Sequence, residues 1–456
     1  MKKLDRAAFS VILVSILLLS GVIFIGNRVP LNITCQLPAQ CKQVGPFGSV
    51  LFEFSRPAQA NQVENLWQTI PGIAGKWVWL DNQHARWDSL KPLPTNQKIT
   101  LQIGTGQAGQ NGEQISSVNR WEVTVRPPRI IVTRNEGNGS ELFTIGLDDG
   151  TSSGKQLTHT NGQIFDYIVT PDGEAVIFSA VNDLKGSDLW MVQRDASNQH
   201  KILDCGADLC STPALSPISQ ELAYTRESAG TNPNGSKKAP RIWILDVSSG
   251  QTAPLFVDPK KIGYGPKWSP NGQWLSISSG SKGGIQVVNR KSGDTYFLES
   301  SNGDTGCWSP DSQYLYYSDM VSGEGGFRNV ILKADIGSRS IITFFGGNAE
   351  GGGISVDNPV CDPQGKWLAV TVQPNVSISG KELELLNPDA KPGVSIMDDL
   401  SRIPGFLSWT PDGNLLVYQS LLLGGDGNNV EVWVWDQNTA KARKITDEGR
   451  SPQWLP

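Results

Sequence analysis

Apolar residues in this chain fall largely on alternate positions, in short runs cut by Gly, Pro, Asn and Asp. A period of two marks β-strands with one buried face. The run Gly265-Pro266-Lys267-Trp268, the turn Ser269-Pro270-Asn271-Gly272 and the run Trp274-Leu275-Ser276-Ile277 make one strand–turn–strand unit. Whole or partial copies stand at Ile168-Val169-Thr170-Pro171-Asp172-Gly173, Leu215-Ser216-Pro217, Trp308-Ser309-Pro310-Asp311, Cys361-Asp362-Pro363-Gln364-Gly365, Trp409-Thr410-Pro411-Asp412-Gly413 and Trp454-Leu455-Pro456. Proline presets φ in such a turn, and the Asn-Gly or Asp-Gly after it accepts positive φ. The turn prolines are 46, 53, 40, 53, 48 and 45 residues apart.

Third strands follow, as in Leu189-Trp190-Met191-Val192, Ile242-Trp243-Ile244-Leu245 and Val432-Trp433-Val434-Trp435, and then a weaker fourth, as in Lys444-Ile445-Thr446. Four short strands in a period of about 40–50 residues predict the blades of a β-propeller. The first repeat opens on a second strand, Arg129-Ile130-Ile131-Val132, and the last stops at its first strand. The C-terminal strand is therefore expected to complete the N-terminal blade, which leaves no free sheet edge. Seven turn prolines predict seven blades, and six or eight also fit the spacing. These repeats resemble the WD-like repeats of TolB-type β-propellers of bacterial envelopes, over about residues 129–456. The resemblance implies the fold. TolB carries a small α/β domain ahead of its propeller and this sequence does not, so TolB's own partner is not carried over.

Glycine (49) and proline (28) exceed ordinary usage, about 7% and 5%. Both suit a turn-rich β protein. The net charge of −5 argues against a nucleic-acid surface, which shows a basic excess. Residues 1–6 carry Lys2, Lys3 and Arg6, and 7–26 hold no charge. The expectation is a short cytoplasmic tail and a transmembrane signal-anchor helix over 7–26, with the bulk of the chain extracytoplasmic. The alternative is a cleaved signal peptide and a secreted protein.

Residues 27–43 read as a linker, and 44–127 as a β-sandwich with strands near Val50–Phe54, Trp77–Trp79, Ile99–Ile103 and Trp121–Val125. The phrases Pro92-Leu93-Pro94-Thr95-Asn96, Gly109-Gln110-Asn111-Gly112 and Trp121-Glu122-Val123 resemble the bacterial Ig-like domains of surface proteins. That segment has no cysteine, so an antibody-type disulfide is absent. The predicted fold class is all-β: an N-terminal transmembrane helix, an Ig-like sandwich over 44–127 and a propeller over 128–456.

Six cysteines suggest disulfides in an oxidising compartment. Proximity pairs Cys35 with Cys41 and Cys205 with Cys210. Cys307 and Cys361 remain, and their opposite strand parity lets them face each other across neighbouring blades. The competing reading is that Cys361 merely replaces the core tryptophan seen at Trp268, Trp308 and Trp409.

Candidate chemistry is sparse. His84, His159 and His200 are scattered, no Gly-x-Ser-x-Gly elbow occurs, and no Cys-x-x-Cys pair offers a metal site. No cofactor is expected. Ser279-Gly280-Ser281-Lys282 and Asp426-Gly427-Asn428-Asn429 read as turns.

Loop length is more informative. The turns between first and second strands, and between third and fourth, are tight. The long segments, 227–240, 319–328, 346–358, 373–392 and 419–429, all fall at the opposite end of the blades. Long loops on a rigid scaffold are the usual place for binding. Tyr264, Phe327, Arg328, Lys237 and Lys238 are the candidate binding residues there. The expectation is an envelope binding or scaffold protein whose long-loop face engages another envelope protein or a cell-wall polymer. The alternative is a polysaccharide lyase or glycosidase at the channel mouth, with Asp304 and Asp357 as candidate carboxylates.

Overall fold

The structure, a computed structural model, describes residues 13–16 and 30–456 except 38–41, 47–48, 92, 94–96, 138, 149–153, 161–162, 231–236, 281–282, 324–325, 347–352, 376 and 425–429. It divides into two compact units, Met1–Pro127 and Pro128–Pro456.

The first unit is a β-sandwich. One sheet runs Ile33–Leu37, Val50–Phe54, His84–Ser89, Gly75–Trp79. The other runs Gln43–Val44, Asn119–Val125, Lys98–Ile103, Trp67–Ile70. Alternation sends Val50, Phe52 and Phe54 from the first sheet and Ile99, Leu101 and Ile103 from the second into one core. Trp87 fills that core so closely that a Cβ on Gly75 would stand 2.2 Å from its indole, so glycine is required there.

Two expectations for the N-terminal region are corrected. Residues 27–43 are not simply a linker: Ile33–Leu37 pairs with Val50–Phe54, because Leu31, Ile33 and Cys35 alternate inward and are buried. The transmembrane helix over 7–26, and the single-pass membrane location built on it, are not upheld. A span needs about 20 continuous helical residues. Among the described residues no helix is long and apolar enough to cross a membrane. Only Leu13–Ile16 of that stretch are described, as one helical turn, and the rest lies outside the described residues.

The second unit holds, among the described residues, seven four-stranded blades. Their innermost strands, in order, are Ile164–Val169, Leu209–Leu215, Tyr264–Trp268, Cys307–Trp308, Ser355–Cys361, Arg402–Trp409 and Arg450–Leu455. The last pairs antiparallel with Arg129–Glu136, followed by Gly139–Gly146 and Lys155–Gln156, so the C-terminal strand completes blade 7. The core is divided among the gaps between blades. Ile131, Leu142 and Leu455 of blade 7 pack on Tyr167 and Phe178 of blade 1, and six further clusters fill the other gaps.

Each seam also carries a polar or covalent tie. In blades 3, 6 and 7 the tryptophan two residues before the turn proline donates its indole N–H to the preceding innermost strand. These bonds run from Trp268 to the Ala214 carbonyl (2.9 Å), Trp409 to Val360 (3.3 Å) and Trp454 to Ser408 (2.9 Å). Trp308 of blade 4 donates to Ser276 Oγ (3.2 Å). In blade 5 the position is Cys361, which bonds Cys307, the residue placed as Ala214, Val360 and Ser408 are in their own blades. The disulfide thus stands where the other seams have an indole tie. Blades 1 and 2 are joined through the Ser187–Leu209 pair and the Cys205–Cys210 disulfide. Tyr167 closes the ring, its hydroxyl donating to the Ile131 carbonyl (3.0 Å). Cys35 is disulfide-bonded, and Cys41 lies outside the described residues. These bridges fit an oxidising, extracytoplasmic environment.

Candidate functional site

Antiparallel order puts the second-to-third and fourth-to-first connections at one end of the ring. Two of the predicted long loops there contain strand. Residues 319–328 belong to a hairpin, Tyr314–Gly323 with Gly326–Asp335, paired out to Gly323–Gly326. Residues 373–392 contain the third strand of blade 5, Glu382–Leu386. The hairpin was hidden because a strand that extends past its neighbours buries neither face and loses its alternation. Glu382–Leu386 does alternate, with Leu383 and Leu385 buried, but is only five residues long.

Of the thirteen exposed large hydrophobic residues in the described propeller, eight lie at this end. Val181, Leu184 and Ile378 stand at or just after second strands. Phe165 and Tyr264 open innermost strands, and Val257 lies in the connection between blades 2 and 3. Met320 and Phe327 project from one face of the hairpin, with Phe327 69% exposed. The opposite end shows three, Ile218 in a turn and Ile341 and Ile342 at the start of a fourth strand. Concentration of exposed apolar side chains on one face is what a binding surface requires.

The five candidate residues divide. Tyr264 and Phe327 are exposed. Lys238 is exposed, and its backbone N–H donates to the Ser228 carbonyl (2.9 Å). Lys237 is a tether: its ammonium donates to the Ala207 carbonyl at 3.2 Å. Arg328 lies on the other face of the hairpin from Phe327, its guanidinium 3.5 Å from where a Cβ on Gly353 would stand.

The channel continues the site inward as a cavity of about 700 Å³ lined by the innermost strands of blades 1 to 6. Asp166 faces it, accepting one hydrogen bond from the Thr212 N–H (3.1 Å), and burial raises its carboxyl. Lys267 keeps 53% of its side-chain surface open to the channel, yet protein surrounds it and depresses its ammonium, against the opposing pull of Asp304. Its Nζ donates to the Gly306 carbonyl (2.8 Å). The carboxylates the enzyme reading needs are already engaged. Asp304 accepts the Gly306 N–H (3.1 Å) and lies 4.0 Å from Lys267. Asp357 holds Lys381 at 2.5 Å. Among the described residues, no cluster of three or more His, Cys, Asp or Glu could hold a metal.

Each innermost strand pairing except that of blade 4 is broken by a bulge. Five residues before the turn proline, Thr212, Gly265, Asn358, Phe406 and Ser451 have φ between 46° and 61°. Across the seven blades this position reads Asp166, Thr212, Gly265, Thr305, Asn358, Phe406 and Ser451. Phe406 is the only large apolar residue in the series, and it is 58% exposed. Comparing the repeat copies in register would have picked it out. A left-handed aromatic costs about 1 kcal/mol or more. Phe406→Asn is expected to raise the unfolding free energy by about 1 kcal/mol in denaturant melts while weakening partner binding.

No protein-family model matches the chain, and no curated protein matches it. Among solved structures it is similar to a puromycin hydrolase mutant complexed with PGG, at 13% identity and a TM-score of 0.51, over 71% of this chain and 52% of that one. The chain thus spans about half the length of that enzyme. It is also similar to TolB from Acinetobacter baumannii (15% identity, TM-score 0.41, 73% of this chain and 83% of that one). A third likeness is to the β-propeller domain of the Trilobed protease from Pyrococcus furiosus (13% identity, TM-score 0.46, 64% and 86%). At such identity the likeness is to fold alone, and the fold shared with the hydrolase is a β-propeller.

Proposed function

We propose that this chain is an extracytoplasmic binding or scaffold protein whose propeller engages a protein of the cell envelope through its long-loop face. The observation that carries this reading is the gathering of exposed apolar side chains at that end, with Met320 and Phe327 on an arm projecting from blade 4. The disulfides support the compartment. The N-terminal sandwich serves, on this reading, as an Ig-like spacer. Asp357 is paired with Lys381 and Asp304 accepts the Gly306 N–H, which favours binding over the glycan-cleaving alternative.

Met320→Asp with Phe327→Asp tests the face. Crosslinked pull-down from envelope extract is expected to lose the specific partner by tenfold or more, since apolar anchors dominate interfaces by about 2 kcal/mol or more. The two positions are exposed, so the melting temperature should hold. A partner recovered equally by both proteins would contradict the proposal.

A further inference from the structure

Four blades carry tryptophan two residues before the turn proline, and blade 5 carries Cys361. A disulfide takes up much less room than an indole. The gap between blades 4 and 5 retains a half-open cavity of about 330 Å³, with Cys361 in its wall. It opens at the short-turn end, away from the face discussed above. Its walls are aromatic: Tyr314, Tyr316 and Phe344 from blade 4, Trp367 from blade 5.

One cation reaches into it. The Lys333 ammonium lies 3.8 Å from the Tyr314 ring centre, with the Tyr316 and Phe344 rings at 5.6 and 6.0 Å. Among the described residues no carboxylate lies within ion-pair distance of it and no hydrogen bond holds it, although its charge helps to lower the carboxyl of Asp335 two residues on. The Asp311, Asp362 and Gln364 side chains beside it make turn and loop hydrogen bonds. Asp311 accepts from Ser309 Oγ (2.6 Å) and the Gln313 N–H (3.0 Å). Asp362 accepts the N–H groups of Gln364 (2.9 Å) and Lys366 (3.0 Å). Gln364 Nε2 donates to the Pro411 carbonyl (2.9 Å).

We propose that this cleft binds small planar aromatic carboxylates, the ring taking the space of the absent indole and the carboxylate pairing with Lys333. Apolar cavities of this size accept ring-shaped ligands, and aromatic walls favour them. The charge-assisted bond to an ammonium with no hydrogen-bond partner selects the carboxylate. A sugar acid presents far less flat apolar surface to these rings than an arene does.

Calorimetry on the full chain with indole-3-carboxylate, indole and glucuronate decides it. Indole-3-carboxylate is expected to bind, and Lys333→Met to weaken it about tenfold or more while leaving indole unchanged. Cys307→Ser with Cys361→Trp, which refills the gap, should abolish binding; if that variant does not fold, the lysine variant still decides. No binding of indole-3-carboxylate at millimolar concentration, an unchanged affinity in Lys333→Met, or glucuronate binding as tightly would each overturn the proposal.

Discussion

A chain lacking residues 450–456 is expected to lose the cooperative unfolding transition of the propeller. The segment is the innermost strand of blade 7, paired with Arg129–Glu136. Its removal takes Trp454 and Leu455 out of the cores on either side of that blade. Large-to-small changes at buried sites of this kind cost about 2–5 kcal/mol each, against a total stability of about 5–15 kcal/mol. It also breaks the Trp454 bond to the Ser408 carbonyl and leaves the Arg129–Glu136 edge open to aggregation. Trp454→Ala alone should cost about 3–5 kcal/mol in denaturant melts. A truncated chain that melts with an unchanged midpoint and stays soluble would mean that the ring does not depend on this strand.

Replacing Cys307 and Cys361 together by serine should lower stability by about 4 kcal/mol. The bridge closes a loop of 54 residues, and loop-closure entropy sets that magnitude. Blades 4 and 5 have no indole tie at this position, so nothing equivalent takes over. Cys205 and Cys210, five residues apart, should matter less, about 2 kcal/mol. Chemical denaturation of each double variant measures both. An equal loss from the two pairs, or none from the longer one, would contradict the assignment of Cys307–Cys361 as the tie of its seam.

The ring was legible because its signals are local. A turn proline sits after each innermost strand, followed in three blades by Asp-Gly or Asn-Gly, and the isolated strand at Arg129 matched the orphan one at Trp454. The strand Ile33–Leu37 was missed because its pairing with Val50–Phe54 is a contact across the chain, and prolines at 30 and 38 frame it as linker. The hairpin beyond Asp319 was missed because Gly323, Gly325 and Gly326 punctuate it and no core patterns it. Tyr264 and Phe327, picked from loop position alone, are exposed. Lys237 looked the same in sequence, and only its distant carbonyl partners show it to be a tether. Phe406 needed the repeats compared at one register.

A photo-crosslinking residue at position 327 and, in a second protein, at position 218 puts the central claim to its most direct test. Phe327 and Ile218 are comparably exposed, at 69% and 67%, on opposite ends of the ring. Irradiation in intact envelopes is predicted to give a discrete adduct from position 327 and none from 218. An adduct from 218 alone would place the working surface at the short-turn end and contradict the account.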